Sequence, residues 1–425
     1  MPSSRKALLL TSSLAFVSIA ALAPIARAAL QDSPKATLDQ AWQIINREYV
    51  DPDFNQVDWE QVRQTLLSPN YSSQEEAYAA LREALQQLND PYTRFMSPTE
   101  FQAFQNQTRG ELVGVGMRLA LDGDTETLMV VQPIENSPAL EAGVQAGDLI
   151  LQIDGTPTQG MTVEAAADLI RGEAGTPVQM LLQRNDTAPF VMTLTRAKID
   201  VPVVHSAVRR EGGHSVGYIR LSQFNAHSAE QMQRAITSLQ SQQVDGFVLD
   251  LRNNPGGRLD QAVAIARMWI SEGDIVRTVD RNGSARQIAA DGTALTELPL
   301  TVLVNGNSAS ASEILAGALQ DDHRATVVGT QTFGKALVQS VNPLGDGSGL
   351  NVTIARYFTP SGLDINHLGI APDIVVDASE DEQKELWSHP ERLGTGEDVQ
   401  YSQAIEQLQS QWGNQNQPST AQVSR

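Results

Sequence analysis

The side chains best suited to chemistry fall between Asn305 and Gln339. The turn Ser308-Ala309-Ser310-Ala311-Ser312 offers three hydroxyls, and a loop bounded by Gly329 and Gly334 leads to Lys335. An apolar run, Leu300 to Val304, precedes the turn and ends at Asn305-Gly306. Glu313 to Leu319 reads as a helix with apolar Ile314, Leu315, Ala318 and Leu319. A strand, a hydroxyl-bearing turn and a helix in that order can present a nucleophile. The turn exposes a side-chain oxygen, and the helix N-terminus leaves backbone N–H groups free to hold an oxyanion. The same letters have a plain structural reading: serine is a common N-cap, and Glu313, three residues after Ser310, completes a capping box. A lone lysine in such a loop is ordinarily a solvated charge.

Other chemistries are less well served. A Ser-His-Asp triad can be drawn from Ser310, His323 and Asp321, but His323 and Arg324 follow a helix, where cations suit the dipole. The chain has no cysteine and no HExxH, and its six histidines are scattered, so no metal and no cofactor are expected. No Walker-type loop is present. The formal charge is −20, and about −23 once a basic leader is removed, which disfavours nucleic acid and strong binding to anionic membranes.

That leader is residues 1–28. Arg5 and Lys6 precede a broken apolar stretch, and Ala26-Arg27-Ala28 fits a small-x-small cleavage site. Export follows, to a periplasm, a thylakoid lumen or a wall space. An exported chain without cysteine must be held by its cores alone. Residues 29–109 read as a helical N-terminal region, with Leu38, Trp42, Ile45 and Tyr49, then Tyr78, Leu81, Leu85 and Leu88, at helical spacing. Residues 110–199 resemble a PDZ domain, a small β-barrel-like fold with two helices. The carriers are Gly114-Val115-Gly116-Met117, the run Ala142 to Ile150, Ile153-Asp154-Gly155, and a groove helix over Thr162–Ile170. In such a domain a glycine-flanked loop offers N–H groups to a terminal carboxylate while the peptide adds as a strand. Gly114, Val115, Gly116 and Met117 are therefore expected to bind substrate tails.

Residues 200–381 are expected to form an α/β catalytic domain, and 382–425 a C-terminal helical segment, about Tyr401 to Trp412, with a disordered tail. Asp245 to Leu251 reads as a buried strand ending in Arg252-Asn253-Asn254-Pro255-Gly256-Gly257. Arg356 to Ile374 is expected to supply further strands.

Taken together, SASASEILAGALQD, GTQTFGKALVQ, LDLRNNPGG and RYFTPSGLDINHLGIAPDI resemble the carboxyl-terminal processing, or tail-specific, proteases. These are PDZ-containing serine peptidases with a Ser-Lys dyad. The resemblance implies an α/β multi-domain protease acting on proteins with free C-terminal tails. It places the nucleophile at Ser310, the general base at Lys335 and a lysine-orienting glutamine at Gln339. It puts oxyanion donors at Gly256 or Gly257 and at Ala311. Ala336 stands where the family usually has glycine, which raises the question of backbone freedom. A lysine base must be neutral, although free lysine titrates near ~10.4. Burial among Phe333, Leu337 and Val338 is expected to lower that value. Arg171, after the groove helix, is expected to signal from the PDZ groove towards Gln339. Similar exported members in photosynthetic organisms trim the C-terminal extension of a photosystem II reaction-centre protein. A PDZ scaffold or chaperone with an inert protease domain is the alternative.

Overall fold

Apolar residues at helical spacing near the N-terminus fold as expected in this computed structural model, which describes residues 33–122, 127–185 and 187–415. The leader expected over residues 1–28 and the tail expected beyond the last helix lie outside the described residues. The structure divides into two units, one comprising the chain up to Thr99 with Ser340–Val352, the other Glu100–Gln339 with Thr353 onwards.

In the first unit, α1 (Pro34–Glu48), α2 (Trp59–Leu67), α3 (Gln74–Gln86) and β1 (Arg94–Met96) bury Leu38, Trp42, Ile45, Trp59, Leu81 and Leu85. Asp58 and Ser73 cap α2 and α3 through their side chains. The segment Ser340–Val352, read from sequence as catalytic domain, belongs with these helices. Its Asp346 carboxylate accepts hydrogen bonds from Thr37 (3.0 Å), Gln74 (2.8 Å) and Tyr78 (2.8 Å). Burial raises the Asp346 pKa, but hydrogen bonds from Ser348, Tyr78 and Thr37 hold it below the usual value.

In the second unit, α4 (Pro98–Arg109) leads into a PDZ-like domain. Its entry strand β2 (Glu111–Gly114) pairs antiparallel with its exit strand, which runs over Ala197–Asp200. Between them lie β3 (Met117–Leu121), β4 (Leu128–Pro133), α5 (Pro138–Glu141), β5 (Leu149–Ile153), β6 (Thr156–Pro157), α6 (Val163–Ile170), β7 (Pro177–Gln183) and β8 (Phe190–Thr195); the exit strand is β9. The sheet order is β3-β4-β5-β7-β8, which leaves β3 at an edge. The AGVQAGD turn is fixed by buried Asp148, which accepts the Gln145 amide and a two-point contact from Arg184 at 2.7 and 2.8 Å.

The remainder is α/β. In chain order it contains β10 (Val204–Glu211), β11 (His214–Leu221), α7 (Ser228–Ser241), β12 (Gly246–Asp250), α8 (Leu259–Arg267), β13 (Asp274–Asp280), β14 (Ala285–Ala289), β15 (Leu300–Val304), α9 (Ala311–Asp321) and β16 (Thr326–Gly329). Then come β17 (Leu337–Pro343), β18 (Gly349–Phe358), β19 (Ile374–Val375), α10 (Glu380–Ser388) and α11 (Val399–Gln415). The central sheet runs β10-β11-β12-β15-β16-β19 and is parallel from β11 onward. Strand alternation divides its core. Phe247, Leu249, Val302 and Val327 pack with α7, α8 and α9, whereas Val248, Leu303 and Val328 pack with Tyr401, Ala404, Ile405 and Leu408 of α11. The helix expected over residues 401–412 is thus longer, and it covers one face of the catalytic sheet.

One stretch differs from expectation. Of Arg356 to Ile374, only the ends are strand. Residues 359–373 form a loop lying along Thr332–Gly334. It is held by Thr332 N–H to Ile370 O (3.1 Å) and His367 N–H to Gly334 O (2.8 Å). The backbones approach too closely for a side chain: a Cβ on Gly369 would lie 2.3 Å from Thr332 O.

Candidate active site

The serine turn sits where β15 gives way to α9, at the carboxyl ends of the parallel strands. Ser310 is the residue entering the helix, with φ 55° and ψ −112°. A non-glycine residue there carries backbone strain of order 1–3 kcal/mol, which persists only where the surroundings over-determine it. Here they do. The Ser310 N–H donates to Glu313 Oε2 at 2.8 Å, and the Ser310 carbonyl accepts from the amides of Glu313 (2.8 Å) and Ile314 (3.0 Å). The Glu313 amide thus goes to the Ser310 carbonyl, and the Ser310 side chain makes no cap hydrogen bond.

The three serines are not equivalent. Ser308 and Ser312 are fully buried. Ser308 Oγ donates to Leu251 O (2.9 Å) and accepts the Asn305 amide, while Ser312 Oγ donates to Asn254 O (2.9 Å). Both hydroxyls bind the turn to the loop after β12. Ser310, between them, is half-buried.

Glu313 is more than a capping residue. It is fully buried, and its two oxygens also accept Thr332 Oγ1–H (2.6 Å), Gly334 N–H (2.7 Å) and Lys335 N–H (2.9 Å). The buried Tyr357 hydroxyl makes a second link. It reaches the Ser310 carbonyl at 3.1 Å and makes a short hydrogen bond to the Lys335 carbonyl. Two unrelated side chains therefore join the backbone of Ser310 to that of Lys335. Sequence reading gave neither of them this role. Glu313 was legible only as a cap, and Tyr357 carried no signal beyond its place in the RYFTPSG run.

Lys335 is half-buried. Ala336 beside it is fully buried and lies outside the left-handed region, so alanine fits where the family usually has glycine. The turn that does need glycine is Gly334, at φ 87°, where a Cβ would lie 2.9 Å from the Gly369 amide nitrogen. Phe333 does not wall in the lysine as expected, for it is 55% exposed. Gln339, on β17, donates a long contact to Thr353 Oγ1 at 3.5 Å.

The loop after β12 abuts the serine turn. A Cβ on Gly256 would lie 2.6 Å from Ala309 O and 2.9 Å from Ala311 N, so only glycine permits this approach. The Gly256 amide donates to Asn254 Oδ1 (2.9 Å). The amides of Gly257 and Ala311 have no protein acceptor among the described residues. Asn254 organises the contact: its carbonyl accepts the Ala309 amide and Ser312 Oγ, and its Nδ2 donates to Leu221 O.

The rival triad does not assemble. Ser310 and His323 lie at opposite ends of α9, an 11-residue helix about 16 Å long. His323 is solvent-exposed.

In the PDZ-like domain, the carbonyls of the Gly114–Met117 loop point inward. Val115 O accepts the Ala139 amide (2.8 Å), and Gly116 O accepts the Ile134 amide (2.9 Å) and Ser137 Oγ (3.0 Å). Gly116 has φ 79°, and a Cβ there would lie 2.3 Å from Ser137 Cβ. The edge strand β3 follows immediately. Arg171, at the end of α6, pairs with Asp168 at 2.6 Å on the exposed surface; among the described residues it makes no bond to Gln339.

Comparison with known proteins defines the class first. Residues 215–376 match the model of peptidase family S41, residues 129–184 a PDZ domain, and residues 31–67 the C1 domain of tricorn protease. The carboxyl-terminal-processing protease of Synechocystis sp. is 44% identical over 371 residues, covering 87% of this chain and 85% of the relative. Carboxyl-terminal-processing peptidase 2 of Arabidopsis thaliana, a chloroplastic protein, is 40% identical over 79% of this chain and 67% of its own length. A solved photosystem II D1 C-terminal processing protease matches with TM-score 0.53 and 39% identity, over 81% of this chain and 93% of that structure. The chain belongs to the carboxyl-terminal-processing protease family. It is a serine peptidase of family S41 with a PDZ domain, acting on protein substrates, and the inert-scaffold alternative is not favoured.

Proposed function

We propose that the chain trims the C-terminal tails of exported proteins with Ser310 as nucleophile and Lys335 as general base. The observation that carries this reading is the double tie between Ser310 and Lys335, through the Glu313 carboxylate and the Tyr357 hydroxyl. A neutral Lys335 Nζ takes the Ser310 Oγ proton as Oγ bonds to the scissile carbonyl carbon. The amides of Gly257 and Ala311 receive the oxyanion, and Gly256 supplies the close approach. The lysine returns its proton to the leaving amine, which departs with the cleaved C–N bond. Water then attacks the acyl-enzyme carbonyl, giving a proton to the same lysine, which passes it to Ser310 Oγ as the ester C–O bond breaks and the carboxylic acid product leaves. Gln339 orients the lysine from β17.

Substrate enters by its C-terminus. The amides around Gly114, Val115, Gly116 and Met117 receive the terminal carboxylate, and the tail adds to β3 beside α6. Arg171 carries the state of this groove towards the catalytic loop, leaving Asp168 to do so. Residues 1–28 direct export. The destination is a periplasm or a thylakoid lumen, and the likeness to a photosystem II D1 C-terminal processing protease supports a substrate like the D1 protein. Among the described residues no helix is long and apolar enough to cross a membrane.

The test uses matched peptides with free and amidated C-termini, with cuts mapped by mass spectrometry. Free tails are expected to be cut at least about tenfold more efficiently. Equal cutting of both would remove the carboxylate-binding role, and cutting by Ser310→Ala would remove the nucleophile.

A further inference from the structure

The loop after β12 begins with the most thoroughly buried cation described in the structure. Arg252 is 1% exposed, yet all five of its N–H donors are committed. Nε and Nη2 reach Asp250 at 2.9 and 2.6 Å. Nη1 and Nη2 reach Asp398 at 2.9 and 2.6 Å, and Nη1 also reaches Gln400 at 3.0 Å. Both aspartates are fully enclosed. Two carboxylates on one guanidinium leave a negative charge over, and further donors meet it. Tyr218 O–H binds Asp250 (2.7 Å), while the amides of Gly394 and Tyr401 bind Asp398 (both 3.2 Å).

Asp250 and Asp398 are 148 residues apart in sequence. The first ends a central strand, and the second precedes α11, the helix that covers the far face of the sheet. From Arg252 the chain runs directly into the turn against Ser310. The Asn253 amide donates to Asn305 Oδ1 at 2.9 Å, and Asn254 holds Ala309, Ser312 and the Gly256 amide. Arg252 is thus the fixed end of the stretch Arg252–Gly257. Carboxylates on two sides restrain the guanidinium, and the Arg252 amide, which also donates to Asp250 Oδ1 at 3.0 Å, restrains the backbone that carries it.

We propose that Asp398 is a positioning residue for the reaction: through Arg252 it sets the backbone of Asn253–Gly257, and so the Gly257 amide, from a segment remote in sequence. This rests on the reading of Gly257 as an oxyanion donor. Asp398 thus serves the reaction through Arg252, while the helix that follows it covers the sheet. A donor displaced by about 1 Å can cost on the order of a hundredfold in rate, because the oxyanion forms only in the transition state. Substrate binding, which needs neither donor at full strength, is spared.

The experiment measures kcat and KM separately on a free-tailed peptide. It uses the full chain as wild type, Asp398→Asn, Gln400→Met and Tyr401→Phe, each well below its own melting temperature and checked by circular dichroism. Asp398→Asn is expected to lower kcat about ten- to a hundredfold with KM within twofold. Gln400→Met, which removes one acceptor, is expected to lower kcat two- to fivefold, and it carries the test if Asp398→Asn does not fold. Tyr401→Phe loses a bond from the same helix to Glu211 (3.2 Å) without touching the guanidinium; it is expected to lower the melting temperature and leave kcat unchanged. An unchanged kcat in folded Asp398→Asn, or in Gln400→Met, overturns the proposal. So does an equal loss in Tyr401→Phe, since stability alone would then explain the effect. Ser310→Ala, run alongside, tests the nucleophile independently: residual cutting there would fault the dyad and leave the Asp398 comparison intact.

Discussion

The serine turn and the PDZ loop both rely on glycine and short side chains, but they are restrained in opposite ways. At the serine turn nearly every polar group is already engaged. Ser308, Ser312, Asn254 and Glu313 are fully buried and bonded, and Ser310 is held in a strained conformation by their combined effect. At Gly114–Met117 the carbonyls are engaged, and the strand that follows is an unpaired sheet edge. The contrast suits the two tasks proposed for them. A catalytic centre must be organised before the transition state arrives, whereas a tail-binding groove must keep hydrogen-bonding capacity for its ligand.

If that contrast holds, damage at the turn should appear in kcat and damage at the loop in KM. The largest effect is expected for Ser310→Ala, which should lower kcat/KM by at least about 10⁴-fold while leaving the fold intact. Ser308→Ala and Ser312→Ala should instead destabilise the protein by about 1–3 kcal/mol each, because each strands a buried partner, with activity retained within about tenfold. Activity surviving in Ser310→Ala but lost in a neighbour would reverse the assignment.

Next come the two ties. Glu313→Gln keeps the shape but replaces one acceptor oxygen with a donor amide, so two of the four hydrogen bonds are lost, and kcat should fall about a hundredfold with KM nearly unchanged. Tyr357→Phe should cost about tenfold in kcat and about 1 kcal/mol of stability in urea titration. A change in KM alone from either would mean that the ties do not act on the reacting groups.

The sequence carried the serine turn, the Gly-Gly loop and the PDZ pattern because each is written in contiguous letters. It did not carry the ties. Tyr357 lies 47 residues beyond Ser310, and nothing local tells a strand tyrosine that reaches two carbonyls from one that fills a core. Glu313 obeys the capping-box spacing, so its bonds to Thr332, Gly334 and Lys335 were hidden behind an adequate local explanation. The family-like run Arg356–Ile374 suggests strands throughout, but residues 359–373 form a loop in which Leu363 and Leu368 are exposed. Just before α11, Asp398 meets Arg252 from 146 residues away, a pairing that spacing alone does not reveal.

On the groove side, Gly116→Ala sharpens the comparison. It forces a Cβ against Ser137 at a positive φ, and should raise KM for free-tailed peptides about five- to tenfold while barely affecting amidated ones. An equal effect on both peptides would point to local unfolding of the domain. The smallest effect is expected for Arg171→Ala. If this residue signals, kcat on tailed substrates should change about twofold; as a solvated partner of Asp168 alone, it should change nothing, since exposed pairs contribute little.

Whether Lys335 acts as a neutral base tied to Ser310 is read from the pH dependence of kcat in wild type and Lys335→Arg. Guanidinium stays protonated at any working pH, so it cannot accept the serine proton. Wild-type activity should fall as the pH is lowered and the lysine protonates, and a folded Lys335→Arg should be inactive from pH ~5 to ~10. A wild-type rate that stays flat down to pH ~5, or turnover by Lys335→Arg, would contradict that role.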